Sequence, residues 1–144
     1  MVLHDLSLSL ARNPDIAAFS RALIERAPAR DRLARLATLF TFVQHLVDVP
    51  APQDGVRDGV DWLLTLAGED EGPSVILTAL LLALGERAAV CYRPGGAFVR
   101  VELQAADVAR LPPHALLAQR RGRFYIPLDA RGARSPFAFL RALR

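Results

Sequence analysis

The sequence predicts one α+β domain, with helices first along the chain and a small antiparallel sheet packed against them afterwards. Apolar residues recur at helical spacing in the first part of the chain, and short alternating segments around a Pro-Gly-Gly turn follow. Hydrophobic residues make up 52% of the 144 residues, which is enough for one packed core. No repeat or linker divides the chain, so we expect a single domain over residues 1–144. Its helical part covers about residues 14–85, its strand part about residues 87–129, and a basic segment residues 130–144.

Start signals and an apolar stripe predict the first two helices. Asn13 is a favourable N-cap, and Pro14 suits the first helical position because its missing N–H is not needed there. This helix ends before Pro28, and a second helix follows from Ala29. The apolar stripe of the second helix consists of Leu33, Leu36, Ala37, Phe40, Val43 and Leu46 or Val47.

The most apolar helix is predicted from Pro73 to Gly85, after an acidic turn at residues 68–72. Glycine at its end suits the left-handed conformation that closes many helices. The apolar block at residues 75–84 is well short of the about 20 residues that span a bilayer. We therefore expect a buried core helix and no membrane association. A weaker helix is expected before it, over residues 55–66.

Two strands joined by a tight turn are predicted over residues 88–92 and 97–103. They flank Pro94-Gly95-Gly96, and the second strand alternates apolar and polar residues as a half-buried strand does. A third strand is expected over residues 123–128, ending at Asp129. These strands are expected to form an antiparallel sheet.

The remaining segments carry weaker signals. Residues 105–122 are ambiguous, because Pro112-Pro113 excludes one continuous helix. Ser135-Pro136 predicts a short terminal helix through Leu143. The first residues of the chain, which include His4, are interpreted as loop-like.

Positive charge is concentrated at the C-terminal end of the sequence. Residues 1–109 hold 10 Arg and 14 acidic residues, a net charge of −4, whereas residues 110–144 hold 8 Arg and one acidic residue, a net charge of +7. The densest cluster, a candidate surface for an acidic partner, consists of Arg120, Arg121 and Arg123, with Arg131 and Arg134 nearby. All 18 basic residues are Arg, so a compositional bias with a solvated cluster is the other interpretation. Phe124 and Tyr125 are too few for a base-stacking platform, so nucleic acid is the less favoured ligand.

The sequence indicates a cytoplasmic protein. Its N-terminal residues have no basic region and no uninterrupted apolar stretch, and Asp5 falls where a signal peptide is apolar. Cys91 is the single cysteine, which excludes an intrachain disulfide and a Cys-rich zinc site. Because Cys91 falls in the interior of a predicted strand, we interpret it as a small buried hydrophobe.

No metal or cofactor site is predicted. His4, His45 and His114 occur in separate segments, and none has His-x-x-x-His or Glu-x-x-His spacing. The chain also has no Walker-type loop and no Gly-x-Gly-x-x-Gly sequence. The absence of these two motifs excludes the common phosphate-binding and dinucleotide-binding loops.

A family resemblance is carried by the apolar helix, the strand hairpin and the later strand that ends in Asp. The segments that carry it are residues 68–85, 88–92, 96–102 and 124–129, with residues 42–47 and 62–64 as the helical lead-in. Together they resemble the core of the bacterial transglutaminase-like (cysteine peptidase-like) superfamily, which implies a papain-like core. In that family a Cys nucleophile begins the helix, a strand carries the His base, and a later Asp orients the His.

Two of the three catalytic positions that the resemblance assigns are replaced. The Cys position falls at Asp70 and the His position at Gly96, and the orienting Asp remains as Asp129. Acyl transfer by this chemistry needs a thiolate beside an imidazole, so Asp70 and Gly96 imply that the chain is not an enzyme. The resemblance therefore implies a pseudoenzyme that serves as a protein-binding or scaffolding module.

Two other functions stay open at this point. In the first, Asp70 and Asp129 form a relocated acid/base pair, with His45 or His114 nearby. In the second, the C-terminal arginine cluster binds an acidic partner or nucleic acid.

Overall fold

Helices form the first part of the chain and a four-stranded antiparallel sheet forms the second, which confirms the α+β prediction. A computed structural model describes residues 2–26, 31–47, 71–94, 96–112 and 117–130. The helices are α1 (Val2–Ala11), α2 (Pro14–Arg26), α3 (Arg32–Val47), α4 (Gly72–Ala83) and α5 (Ala105–Ala109). The strands are β1 (Ala88–Arg93), β2 (Gly96–Leu103), β3 (Ala118–Arg120) and β4 (Arg123–Leu128).

Asn13 begins α2 as predicted, because its side chain accepts a hydrogen bond from the Asp15 N–H at 2.8 Å. The residues before it, interpreted as loop-like, instead form α1. Ser7 on α1 is fully buried and donates a hydrogen bond to the Val75 carbonyl at 3.3 Å. Packing against α4 therefore stabilises a helix that has no strong start signal of its own.

Helix α4 is the centre of the core, since all of its residues from Gly72 to Leu81 are buried. Its last helical residue is Ala83, and Gly85, which has a φ of 85°, closes the helix as predicted. The Gly85 N–H donates to the Leu82 carbonyl and the Glu86 N–H donates to the Leu81 carbonyl, both at 3.0 Å. This pair of bonds is a Schellman motif, which turns the chain sharply into β1.

Thr78 lies fully buried in the middle of α4, and its hydroxyl has no hydrogen-bond partner among the described residues. Replacing Thr78 with Val is expected to raise the free energy of unfolding by about 1 kcal/mol, because a desolvated hydroxyl is removed at nearly constant volume. Urea denaturation followed by circular dichroism measures the change. Ser20→Ala is the matched control: its hydroxyl donates to the Leu80 carbonyl at 3.2 Å, so its loss is expected to destabilise. A Thr78→Val variant less stable than the wild type contradicts the prediction.

The sheet has the strand order β1-β2-β4-β3, with every neighbouring pair antiparallel. One face packs against the helices and supplies core residues, which are Ala88, Val99, Val101, Leu103, Ile126 and Leu128. Alternation along each strand places the intervening residues on the opposite side, which we call the outer face. The outer face includes Cys91, Arg93, Phe98, Arg100, Glu102, Arg120, Arg123 and Tyr125.

The ambiguous segment between the predicted second and third strands contains the short helix α5 and the short strand β3. A two-residue turn joins β3 to β4, with φ of 53° at Arg121 and 76° at Gly122. Positive φ at both positions is typical of the type I′ turn that matches the twist of a hairpin.

Several predicted features lie outside the described residues. They are the weaker helix at 55–66, the terminal helix at 135–143, and the residues Asp70, His114, Arg131 and Arg134. Among the helices that the structure does describe, none has the length and apolar character needed to cross a bilayer.

Candidate functional site

Three parts of the chain that the family resemblance singles out meet at one end of the sheet. The Ser74 hydroxyl, in the first turn of α4, donates to the Ala97 carbonyl near the start of β2 at 3.2 Å. Asp129 follows β4 immediately, and the pairing of Val99 with Leu128 places it at the same end as Ala97. The first turn of α4, the start of β2 and the end of β4 are thus neighbours.

Asp129 is engaged at this end by an arginine. The Arg93 guanidinium forms an ion pair with the Asp129 carboxylate and also lies over the Phe98 ring, 5.5 Å from its centroid. Gly96 pairs with Arg93 across the hairpin and offers no side chain. His45, a candidate for a relocated acid/base site, is exposed near the end of α3.

Cys91 lies in β1 as predicted, but it is half-buried on the outer face and does not join the core. Burial raises the pKa of the Cys91 thiol, although the nearby Arg100 charge acts in the opposite direction. A raised pKa keeps the thiol protonated at neutral pH, and the protonated form is a poor nucleophile. Cys91 is therefore unsuited to acyl transfer.

Four arginines converge on the outer face around a groove of about 470 Å³, which we call the arginine groove. Its lining residues are Arg100, Arg120, Arg121, Arg123 and Tyr125. The hairpin produces this convergence, since Arg120 pairs directly with Arg123 and the turn carries Arg121 between them. The structure thus brings the three arginines of the predicted cluster together.

Arg100 joins the groove from β2 and was not singled out by the sequence. Its guanidinium lies over the Tyr125 ring, 5.0 Å from the centroid. The sequence signal for it was its polar position in an alternating strand, but only the strand register places β2 beside β4. A contact of this kind restricts the guanidinium while leaving its edge free to donate hydrogen bonds.

The charge of the arginine groove is poorly balanced within the described residues. Glu102 lies 3.7 Å from Arg123 and also 3.7 Å from Arg87 on the groove's flank. Arg100, Arg120 and Arg121 form no ion pair with any acidic residue of the described chain. Such a concentration of unpaired positive charge favours an anionic ligand.

A second charged cluster has a structural role. Arg32, at the start of α3, donates to Glu86 at 2.9 Å, to Asp107 at 3.2 Å and to the Glu102 carbonyl at 2.7 Å. The Asp107 carboxylate in turn accepts from the Gln104 N–H at 3.0 Å, which caps α5. Arg32 therefore ties α3 to the sheet and to α5.

A second ion pair also joins the start of α3 to the α5 segment, with the acidic residue now on the α3 side and the arginine on the α5 side. Arg110, just after α5, lies 3.1 Å from the Asp31 carboxylate, which also accepts from the Ala34 N–H at 2.8 Å and caps α3. The Arg110 guanidinium lowers the pKa of Asp31, and the hydrogen bond from the Ala34 N–H lowers it further by a smaller amount. This more exposed pair supports the position of α5 from the other side.

The described residues contain no group of three or more His, Cys, Asp or Glu side chains arranged to hold a metal ion. The fold and the arginine groove together define an α+β domain with an arginine-lined groove on the outer face of its sheet. Comparison with known proteins finds no protein-family model, no curated protein and no solved structure that matches this chain.

Proposed function

We propose that this domain is a non-catalytic binding module that holds an acidic segment of a protein partner in the arginine groove. The single observation that carries the proposal is the convergence of Arg100, Arg120, Arg121 and Arg123 on one groove. Three of these guanidinium groups lack an acidic partner within the described residues, so a ligand that supplies carboxylates complements them.

The aromatic rings of the outer face favour an acidic peptide over nucleic acid. Sequence-tolerant binding of single strands uses open aromatic faces on which bases stack. Here Arg100 lies over Tyr125 and Arg93 lies over Phe98, so each ring already has a guanidinium on one face. The site is thus better suited to anionic groups than to bases.

The absence of catalysis is part of the proposal. The resemblance to transglutaminase-like domains places Asp70 and Gly96 at the nucleophile and base positions. The ion pair of Asp129 with Arg93 supports the same conclusion, because it engages the carboxylate that a His would need. We propose accordingly a cytoplasmic pseudoenzyme of this family, whose function lies in the partner it holds.

The experiment measures binding of a fluorescein-labelled peptide, Gly-Glu-Glu-Ser-Glu-Glu-Gly, by fluorescence anisotropy. Reversing two groove charges, with Arg120→Glu and Arg123→Glu together, is expected to weaken binding by at least about tenfold. Both side chains are exposed, so the double variant is expected to keep its fold, which circular dichroism checks.

The matched control reverses two exposed arginines of the helical part, Arg12→Glu and Arg21→Glu, with the same change in net charge. This control is expected to retain most of the affinity. Equal losses in the two double variants mean that net charge alone attracts the peptide, and they contradict the proposal. A wild-type protein that does not bind the peptide also contradicts it.

A further inference from the structure

Three arginines of the arginine groove have no acidic partner in the described chain. Three unpaired guanidinium groups favour an anion with more than one negative charge and several acceptor oxygens. Among the residues that the structure describes, Glu102 is the one carboxylate that forms an ion pair with a groove arginine, and Arg87 and Arg123 share it. A single side-chain carboxylate brings one negative charge and two oxygens. A phosphate monoester brings a charge of about −1.5 to −2 at pH 7 and three acceptor oxygens.

The backbone conformation of Arg121 supports a binding role independently of its charge. Arg121 occupies the first central position of a type I′ turn with a φ of 53°, where Asn or Gly is the favoured residue. A bulky side chain held at positive φ is a local strain that folds retain mainly at functional positions. The strained residue stands in the turn of the β3–β4 hairpin and is one of the residues that line the groove.

The groove is also partly preorganised for a compact anion. The Tyr125 ring holds the Arg100 guanidinium, and the hairpin pairing fixes Arg120 beside Arg123. Positioning donors before the ligand arrives reduces the entropy lost on binding. The volume of about 470 Å³ falls within the range of about 300–1,000 Å³ that is typical of small-ligand pockets.

We infer that the arginine groove recognises a phosphorylated protein segment, with the phosphate group bound by Arg100, Arg120 and Arg121. The inference rests on the proposed function and names the chemistry of the partner. Arg123, which already faces Glu102, contributes to the positive field and contacts the flanking acidic residues of the segment. Because the chain contains no Lys, the presence of Arg in preference to Lys is not evidence for phosphate binding. The evidence is the convergence of the arginines on one groove and the strained turn at Arg121.

The test compares three forms of the labelled peptide Gly-Glu-Glu-Ser-Glu-Glu-Gly, with the central Ser unmodified, phosphorylated or replaced by Glu. Fluorescence anisotropy at one fixed salt concentration gives the dissociation constants. The phosphorylated form is expected to bind at least about tenfold more tightly than either of the others.

The Arg121→Asn variant separates a binding role from a merely structural one. It creates an Asn-Gly turn, the preferred type I′ sequence, so its melting temperature is expected to equal or exceed that of the wild type. It is nevertheless expected to lose most of the preference for the phosphorylated peptide. The control Arg87→Asn changes an exposed arginine of the same face that does not line the groove, and is expected to keep that preference.

The outcomes distinguish this inference from the proposed function. Equal binding of the phosphorylated and Glu forms overturns the inference and leaves an acidic-segment module standing. Absence of binding by all three forms overturns both. If Arg121→Asn keeps the preference for the phosphorylated peptide, the assignment of the phosphate site to Arg121 is wrong. If a single-stranded oligonucleotide binds more tightly than the phosphorylated peptide, the inference that the partner is a protein is wrong.

Discussion

Replacing Arg32 with Ala is expected to lower the free energy of unfolding by about 3 kcal/mol. The side chains of Arg32, Glu86 and Asp107 are 18%, 13% and 12% exposed, so water replaces the lost guanidinium poorly. Without it, two largely buried carboxylates face each other and the Glu102 carbonyl loses a donor. Urea denaturation followed by circular dichroism measures the loss, since urea, unlike guanidinium chloride, does not screen ion pairs.

The Arg110→Ala variant is the matched control for this prediction. Arg110 makes the reverse ion pair with Asp31, but the two side chains are 43% and 46% exposed. Exposed pairs contribute little, so the loss is expected to be much smaller than that of Arg32→Ala. Similar losses in both variants would show that burial of the Arg32 network does not decide its contribution. Arg32→Lys, which keeps the charge but not the planar fork, is expected to fall between the wild type and Arg32→Ala.

Replacing Leu80 with Ala is expected to lower the free energy of unfolding by about 3 kcal/mol. Leu80 is fully buried in α4, the helix on which α1, α2 and α3 all pack. Truncation removes apolar contacts and leaves a cavity that the neighbouring elements cannot fill. The same urea titration measures the effect, and an unchanged m-value shows that the unfolding transition exposes the same surface.

Leu82→Ala controls for the change of Leu to Ala within the same helix. Leu82 is only partly buried, so its truncation is expected to cost less than half as much as Leu80→Ala. The two variants share the same gain in helix propensity, which cancels in the comparison. Equal losses would mean that the packing of α4 differs from the one described.

Local chemistry explains which elements the sequence predicts well. Asn13 begins α2, and Gly85 ends α4, because caps depend on side chains and dihedral angles within a few residues. The strands β1, β2 and β4 form close to the predicted positions, and β2 alternates as expected because one face of the sheet packs on the helices. In each case the signal and the structure lie in the same short segment.

Two of the missed elements, α1 and α5, depend on contacts between distant segments, and the third, β3, depends on its pairing with β4. Helix α1 packs on α4, which follows it much later in the chain. Helix α5 has five residues and is fixed by Arg32 and by the Asp107 cap. Strand β3 has three exposed residues and therefore no apolar alternation to reveal it. Tertiary contacts that a propensity argument does not contain stabilise α1 and contribute to α5, and strand pairing stabilises β3.

Some residues of the arginine groove are likewise predictable from the sequence, and others depend on the fold. Arg120, Arg121 and Arg123 are close in sequence, so a simple charge count identifies them. Arg100 joins them only because β2 and β4 are neighbours and Tyr125 lies under its guanidinium. The strain at Arg121 is likewise invisible in the sequence, since it depends on where the turn falls between β3 and β4.

The short strand β3 has a consequence for how the protein behaves at high concentration. It is an edge of the described sheet, and a sheet edge offers backbone groups to which a strand of another molecule can pair. This edge is only three residues long and carries the charge of Arg120, with Arg121 beside it. An identical edge approaching it brings like charges together. The basic hairpin therefore also protects this edge of the sheet against edge-to-edge aggregation.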